Sequence, residues 1–403
     1  MISAYAEPRA RWVLDTLGAR ELAVGEEVPY DAGAWAQVER GERPEGDELA
    51  GAFWHLARLE ERSGERDRHG RFPSSASALD PLDPPLERLR ARLGIEPPRW
   101  RGARFAVALT HDVDRPWRWT GRGVRNAVGR LAARARAGAG RDALREARGL
   151  AAVPVHRLRG SDPNWCFARI AELEGARGSS STHFLLAGHG HVEDGFAPEV
   201  YDRLRPRLVE TLLETGAEVG LHGSYLSAQE PLRLAAEKEE LESLAGQVAG
   251  QRYHFLRVDP HANLAPLAGL GFQYDTTLGF ADAPGFRAGI TQPFRPWSEE
   301  LGHPLPLVEI PLALMDTTLA VPQYLGLTAA QAEGRALALL DRAAELGGGF
   351  ALLWHTNRFD PPTAAGWDRL YERILDGVLE RGGVCLTAGE LAAEAGEVLL
   401  TLE

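Results

Sequence analysis

The chain has 403 residues, 57 acidic against 45 basic side chains and a net charge of -12, so it can bury one or two large cores while repelling nucleic acid and anionic membrane surfaces. Its two cysteines, Cys166 and Cys385, lie far apart and in no ligand spacing, which excludes a disulfide framework and a thiolate zinc site. The opening run MISAYAEPRARWVL lacks the basic start and apolar stretch of a signal peptide, and no later run is apolar enough to span a bilayer; a cytoplasmic protein without an integral membrane segment is expected.

Residues 1–98 read as a smaller N-terminal α/β accessory domain. Within it DELAGAFWHLARLEER carries apolar residues at helical spacing from Leu49 to Leu59, a charged and Pro/Gly/Ser-rich stretch follows, and LERLRARLGIEPPRW is a short helix ended by Gly94 and by Pro97 and Pro98. The proline pair marks the domain boundary. From Arg104 the texture changes to short β-rich runs separated by helical ones: RFAVALT, STHFLLAG, EVGLHGS, YHFLRV, FQYDTTL, LVEIPLAL, FALLWHT and VCLTAGE. Residues 99–403 are therefore expected to form a regular or distorted (β/α) barrel of about seven strands, whose reactive side chains stand where strands give way to loops. Residues 116–160 interrupt it with an arginine- and alanine-rich excursion of one or two helices. This reads first as a solvated insertion in a protein whose only lysine is Lys238, and second as a basic flap toward an anionic substrate.

Six ionisable residues fall at the predicted strand ends: Asp112, Asp114, His222, Arg257, Asp275 and His355. Asp112 and Asp114 would share one face of a continuing strand, where a metal ion or a proton relieves their repulsion; an Asp-rich turn is the alternative. His222 is suited to ligating a divalent metal and His355 to acting as a general acid, although either could be a hydrogen-bonded structural histidine. Arg257 could clamp a carboxylate base, with Asp275 tuning it, or form a surface ion pair. Arg287 lies in a Pro/Gly-rich loop with several aromatics, which could line a sugar site or simply pack.

The order of the runs THDVD, LHGSY, LRVDP, YDTTLGF and LLWHTN resembles the polysaccharide deacetylase (NodB-homology) superfamily, and the branch with HDVD and an additional N-terminal domain in particular. The resemblance implies hydrolysis of the N-acetyl group of a carbohydrate with a divalent metal, commonly zinc. By motif position Asp112 would be the base, Asp114 and His222 metal ligands, His355 the acid and Arg257 the orienter of Asp112, with Asp275 behind it. Tyr225, Arg287 and Trp354 would touch the sugar. The sequence departs from the family pattern where a second histidine ligand is expected, because Leu226 stands there; His254 ranks ahead of His111 as its substitute. An amidohydrolase acting on a small non-sugar amide and an inactive carbohydrate-binding barrel are the alternatives. Oligomeric state is not legible.

Overall fold

The computed structural model describes residues 6–195, 197–360 and 364–400, with the backbone alone for 399 and 400. Its strands are β1 (Phe105–Val113), β2 (Thr182–Leu186), β3 (Glu218–Gly223), β4 (Gly250–Tyr253), β5 (Tyr274–Asp275), β6 (Trp297–Ser298), β7 (His303–Pro304), β8 (Val308–Glu309), β9 (Leu312–Met315), β10 (Gly348–Leu353) and β11 (Val384–Leu386). All but the β6–β7 hairpin form one parallel sheet in the order β8-β5-β4-β3-β2-β1-β10-β9, with β11 also against β1. The two outer strands are halves of one extended run. Pro311, which has no N–H to give a ladder, separates them; Ile310 N donates to Asp275 O at 2.9 Å on one side and Ala351 N to Pro311 O at 2.8 Å on the other. The run 308–315 thus brings the sheet round on itself, and the fold is the distorted (β/α) barrel expected from the sequence.

Both faces of these strands are dry, as parallel strands under helices require, and alternation divides their side chains. Phe105, Val107 and Leu109 of β1 face outward onto the helices Ala329–Leu346 and Trp367–Glu380, while Ala106 and Ala108 face the barrel interior with Phe184, Tyr274 and the apolar side of the helix beginning at Ala388. The interior is narrow. A Cβ on Gly220 would lie 2.5 Å from the Phe184 ring, so glycine is what lets β3 pass that ring. The even-numbered inward set of β1 continues upward through Thr110 to Asp112 and Asp114.

Among the described residues, the segment before Pro97 is helical, with one isolated bridge between Val24 and Val28, in place of the α/β arrangement expected there. Its helix Glu48–Leu56 starts at Asp47, whose Oδ1 accepts from Ala50 N at 2.9 Å. The helices share a core with the barrel: Trp12 packs on Trp297 at 5.5 Å between ring centres, and Phe53 lies 6.0 Å from the same ring. Their platform is the loop after β5. This corrects the reading of Arg287 as a sugar contact, because its guanidinium is 1 % exposed and grips Glu61 with Nε at 2.8 Å and Nη2 at 2.5 Å.

The Glu61 contact has a measurable pH dependence. Burial pushes the Glu61 carboxyl up, but Arg287 and Arg58 outweigh it and hold it down at about 2 from an ordinary 4.5. A depressed folded-state value stabilises the fold above pH 4.5, and that contribution is lost as pH falls toward 2. Its size is about 3 kcal/mol. Urea midpoints of wild type and Glu61→Gln, followed from pH 7 to pH 3, are expected to converge, because the variant lacks this term throughout. Parallel curves would refute it.

Candidate active site

At the C-terminal ends of β1, β3, β4, β9 and β10, polar side chains meet above the barrel interior. Asp112 is 3 % exposed, and its Oδ1 accepts from Arg252 Nη1 at 2.8 Å. Arg252, itself fully buried, also donates from Nη2 to Thr110 Oγ1 at 2.9 Å and from Nε to Thr276 O at 3.2 Å. With Oδ1 held, Oδ2 of Asp112 faces the site, 3.6 Å from His222 Nε2.

The arginine on Asp112 is therefore Arg252 and not Arg257. The predicted strand YHFLRV would have carried Arg257 to its end, but β4 stops at Tyr253, and Phe255 and Leu256 turn the chain at φ of 61° and 55°. Such angles are costly for bulky side chains and persist where the surroundings impose them, here beside the site. The turn aims His254 inward and sends Arg257 to the rim. There Arg257 donates from Nε to His69 O at 2.9 Å and from Nη1 to Tyr225 O, and lies over the Tyr225 ring. Asp275 stands behind Arg252 instead, hydrogen-bonded by Gln251 and Thr277 and buried with Glu309. Burial pushes both carboxyl groups up; the neighbouring Asp275 raises Glu309 further, whereas the contact with Glu309 pulls Asp275 part of the way back.

Asp114, His222 and His254 offer ligand atoms that all lie within 4.8 Å of one another, and no other such group of three or more occurs among the described residues. Each imidazole is oriented through Nδ1: that of His222 donates to Arg252 O at 2.9 Å, and that of His254 to Asp194 Oδ1 at 3.0 Å. Both Nε2 atoms then face Asp114 Oδ1, at 3.4 and 3.7 Å. Two of the converging atoms, Asp114 Oδ1 and His222 Nε2, are buried without a hydrogen-bond partner. A cation between them would satisfy both atoms. Donors about 2.1 Å from one tetrahedral ion stand roughly 3.4 Å apart, so the spacing fits, as does a donor set of two imidazoles and a carboxylate that leaves positions for water. Burial would raise the Asp114 carboxyl, yet His222, His254 and His355 around it hold it well below the usual carboxylate range. His222 moves the other way. Burial pulls it down, but Asp112 and Asp114 together outweigh that and raise it. His111, the lesser substitute, points outward by strand alternation and is held by Trp354 O at 2.6 Å and Glu174 Oε1 at 2.9 Å.

His355 follows β10 and pairs through Nδ1 with Asp316 Oδ1 at 2.6 Å, while its Nε2 lies 3.7 Å from Asp114 Oδ2. Burial lowers the imidazole, but Asp316 and then Asp114 and Asp112 outweigh it and push His355 up to about 9. It carries a proton at neutral pH. Arg358 is the second partner of Asp316, which stays ionised well below its ordinary range although buried.

Two further expectations need correction or narrowing. Trp354 is fully buried and packs outward on Trp367 and Tyr371 at 5.8 and 5.6 Å, so it cannot touch a substrate. Because adjacent strand residues face opposite ways, an inward His355 sends Trp354 into the helical layer. Tyr225 does lie at the rim, 9 % exposed, stacked on His191 at 4.3 Å with its hydroxyl 3.0 Å from His69 Nδ1. Three residues went unnoticed in the sequence: Arg252, Asp194 and Asp316. Asp316 had the same signal as the rest, a carboxylate after the apolar run LALM, whereas Asp194 sits in a loop whose position only the fold supplies.

The cleft beside this cluster has a volume of about 330 Å³ and opens between Asp114 and Asp194 on the inside and Trp117, Arg118, Arg130 and Arg134 on the outside. No helix among the described residues is long and apolar enough to cross a membrane. No protein-family model and no curated protein matches the chain. Among solved structures, a probable polysaccharide deacetylase from Pseudomonas aeruginosa PAO1 aligns with a TM-score of 0.46 and 15 % identity, covering 75 % of this chain and 95 % of that one.

Proposed function

We propose that the protein is a metal-dependent hydrolase that removes the acetyl group from an N-acetylated carbohydrate. One observation carries this reading: a clamped carboxylate, a three-residue group able to hold a cation and an imidazole paired with a buried carboxylate converge on one small space at the strand ends. The sugar as carrier of the acetamide rests on the motif order THDVD, LHGSY, YDTTLGF and LLWHTN.

Asp114, His222 and His254 would hold a divalent ion, zinc by the nature of the donors. What the ion supplies when bound is positive charge against the acetamide oxygen and a lowered pKa for the attacking water. Asp112 takes the water's proton at Oδ2, since Oδ1 is occupied by Arg252 and Oδ2 alone faces the site. Water oxygen bonds to the acetyl carbon, the C–N bond breaks, and His355 gives its Nε2 proton to the departing amine. Acetate and a free amine result. Asp316 keeps Nδ1 of His355 protonated so that Nε2 is the nitrogen that gives up its proton. His254 would supply the third ligand that the sequence lacks at Leu226, which weakens the motive for an inactive barrel.

Acetate release from N-acetylhexosamine substrates, measured with the metal-loaded enzyme, after chelation and after zinc is restored, tests the reading. A protein that binds no metal and releases no acetate from any of them would sink it. Asp316→Asn is expected to keep the fold and lower kcat by about 10- to 100-fold, the usual effect of losing a carboxylate behind a catalytic histidine; unchanged kcat would remove Asp316 from the site.

A further inference from the structure

The hydrolysis of a neutral acetamide requires no guanidinium wall, yet the cleft has one. Residues 121–159 form two helices, Gly121–Arg136 and Gly140–Arg159, that pair through Trp119, Ala127 and Val153. They hold ten arginines and two acids in a chain whose net charge is -12, so the charge of the molecule is strongly polarised toward this hairpin. Arg130 and Arg134 from it, with Arg115, Arg118 and Arg358, line the same cleft as Asp114.

The acids nearby are already engaged, and one of them is shared among three guanidiniums. Glu146, fully buried, faces three guanidiniums: Arg130 at 2.8 Å, and Arg118 and Arg134 at 3.2 Å each. Asp360 pairs with Arg118, and Asp316 with Arg358. Asp194 and Asp114 are engaged by His254 and His222. Asp162 accepts three backbone N–H groups, from Arg118, Trp119 and Asn164. The crowding is felt by Arg118, which burial pushes down, Glu146 pulls back and the neighbouring Arg130 and Arg134 push down again. Guanidiniums approaching from both walls suit a tetrahedral anion with several oxygens better than a single flat carboxylate.

Building on the deacetylase reading, we propose that the substrate is an N-acetyl sugar carrying a phosphate or diphosphate, whose anionic group lies between the helical hairpin and the loop after β10 while the acetamide reaches Asp114. Two carriers share that chemistry, a nucleotide diphosphate and a lipid diphosphate. The outer face of the hairpin exposes Leu144, Val155 and Leu158, which is reason to test the lipid.

The experiment compares kcat/KM for acetate release from N-acetylglucosamine 1-phosphate, UDP-N-acetylglucosamine and a detergent-solubilised polyprenyl diphosphate N-acetylglucosamine with that for unphosphorylated N-acetylglucosamine. At least one phosphorylated substrate is expected to exceed the neutral sugar by about tenfold or more, an advantage that rising salt erodes; the arm that wins identifies the carrier. Calorimetric binding of inorganic pyrophosphate to the wild-type enzyme supplies a readout independent of turnover. Arg130→Gln with Arg134→Gln keeps donors for Glu146, and is expected to weaken pyrophosphate binding at least tenfold while sparing turnover of the neutral sugar. Equal turnover of phosphorylated and neutral sugars, with no pyrophosphate binding, overturns the proposal and leaves the deacetylase intact. Pyrophosphate binding without acetate release from any substrate overturns the deacetylase reading, and with it the substrate assigned to this anion site.

Discussion

Replacing Asp114 with Asn is expected to strip the protein of its metal and to lower acetate release by roughly 10³-fold, the rate equivalent of the several kcal/mol that a Lewis-acid cation contributes. Asp114 is the only charged member of the three-residue set, and its Oδ1 faces both Nε2 atoms, so one substitution removes the charge that balances the ion. Elemental analysis should fall from about one ion per chain to none. His222→Ala should do the same, whereas His111→Ala, although it disturbs a buried network with Glu174 and Tyr371, should leave the metal in place in whatever protein folds. A D114N protein that keeps its metal and more than about a tenth of its activity would place the ligands elsewhere.

The second large effect separates two arginines five positions apart. Arg252→Lys replaces a fork that serves Asp112, Thr110 and the Thr276 carbonyl together with a point charge that cannot reach all three, and kcat is expected to fall about 100-fold with the fold retained. Arg252→Met is the harsher change, because it leaves the buried Asp112 without its guanidinium partner, at a cost of about 3–5 kcal/mol in stability. Arg257→Gln, by contrast, loses contacts with the backbone carbonyls of His69 and Tyr225 at the rim, so KM should rise while kcat stays within about threefold. Steady-state acetate release with urea midpoints for all three variants decides the matter. If Arg257→Gln proves the slower enzyme in kcat, the assignment of Arg252 to Asp112 is wrong.

These two arginines also show where reading the sequence reaches its limit. The run YHFLRV has the composition of a strand, and a strand continued to Val258 would end near Arg257; the strand stops at Tyr253 because two bulky residues are held at positive φ by contacts distant in sequence. No propensity scale anticipates that. Trp354 is a different kind of miss, since the alternation that brings His355 inward also sends its neighbour outward, a fact available from the sequence once His355 was chosen. Arg287 looked like part of a ligand loop because its partner, Glu61, is 226 positions away.

What the sequence determined by itself is the local part: β-rich runs alternating with helices, two carboxylates two residues apart on one face of the first strand, and histidines at the ends of others. Strand periodicity and the short reach of side-chain alternation make such features legible without a partner. What only the tertiary structure decided is which distant groups complete them. His254 joins Asp114 and His222 in one cluster able to hold a cation, Arg252 clamps Asp112, Asp194 and Asp316 orient two histidines, and the arginine hairpin lines one side of the cleft. The physical reason is that each of these depends on where a strand ends and how the barrel closes, and those are set by packing across the whole sheet rather than by any stretch of neighbouring residues.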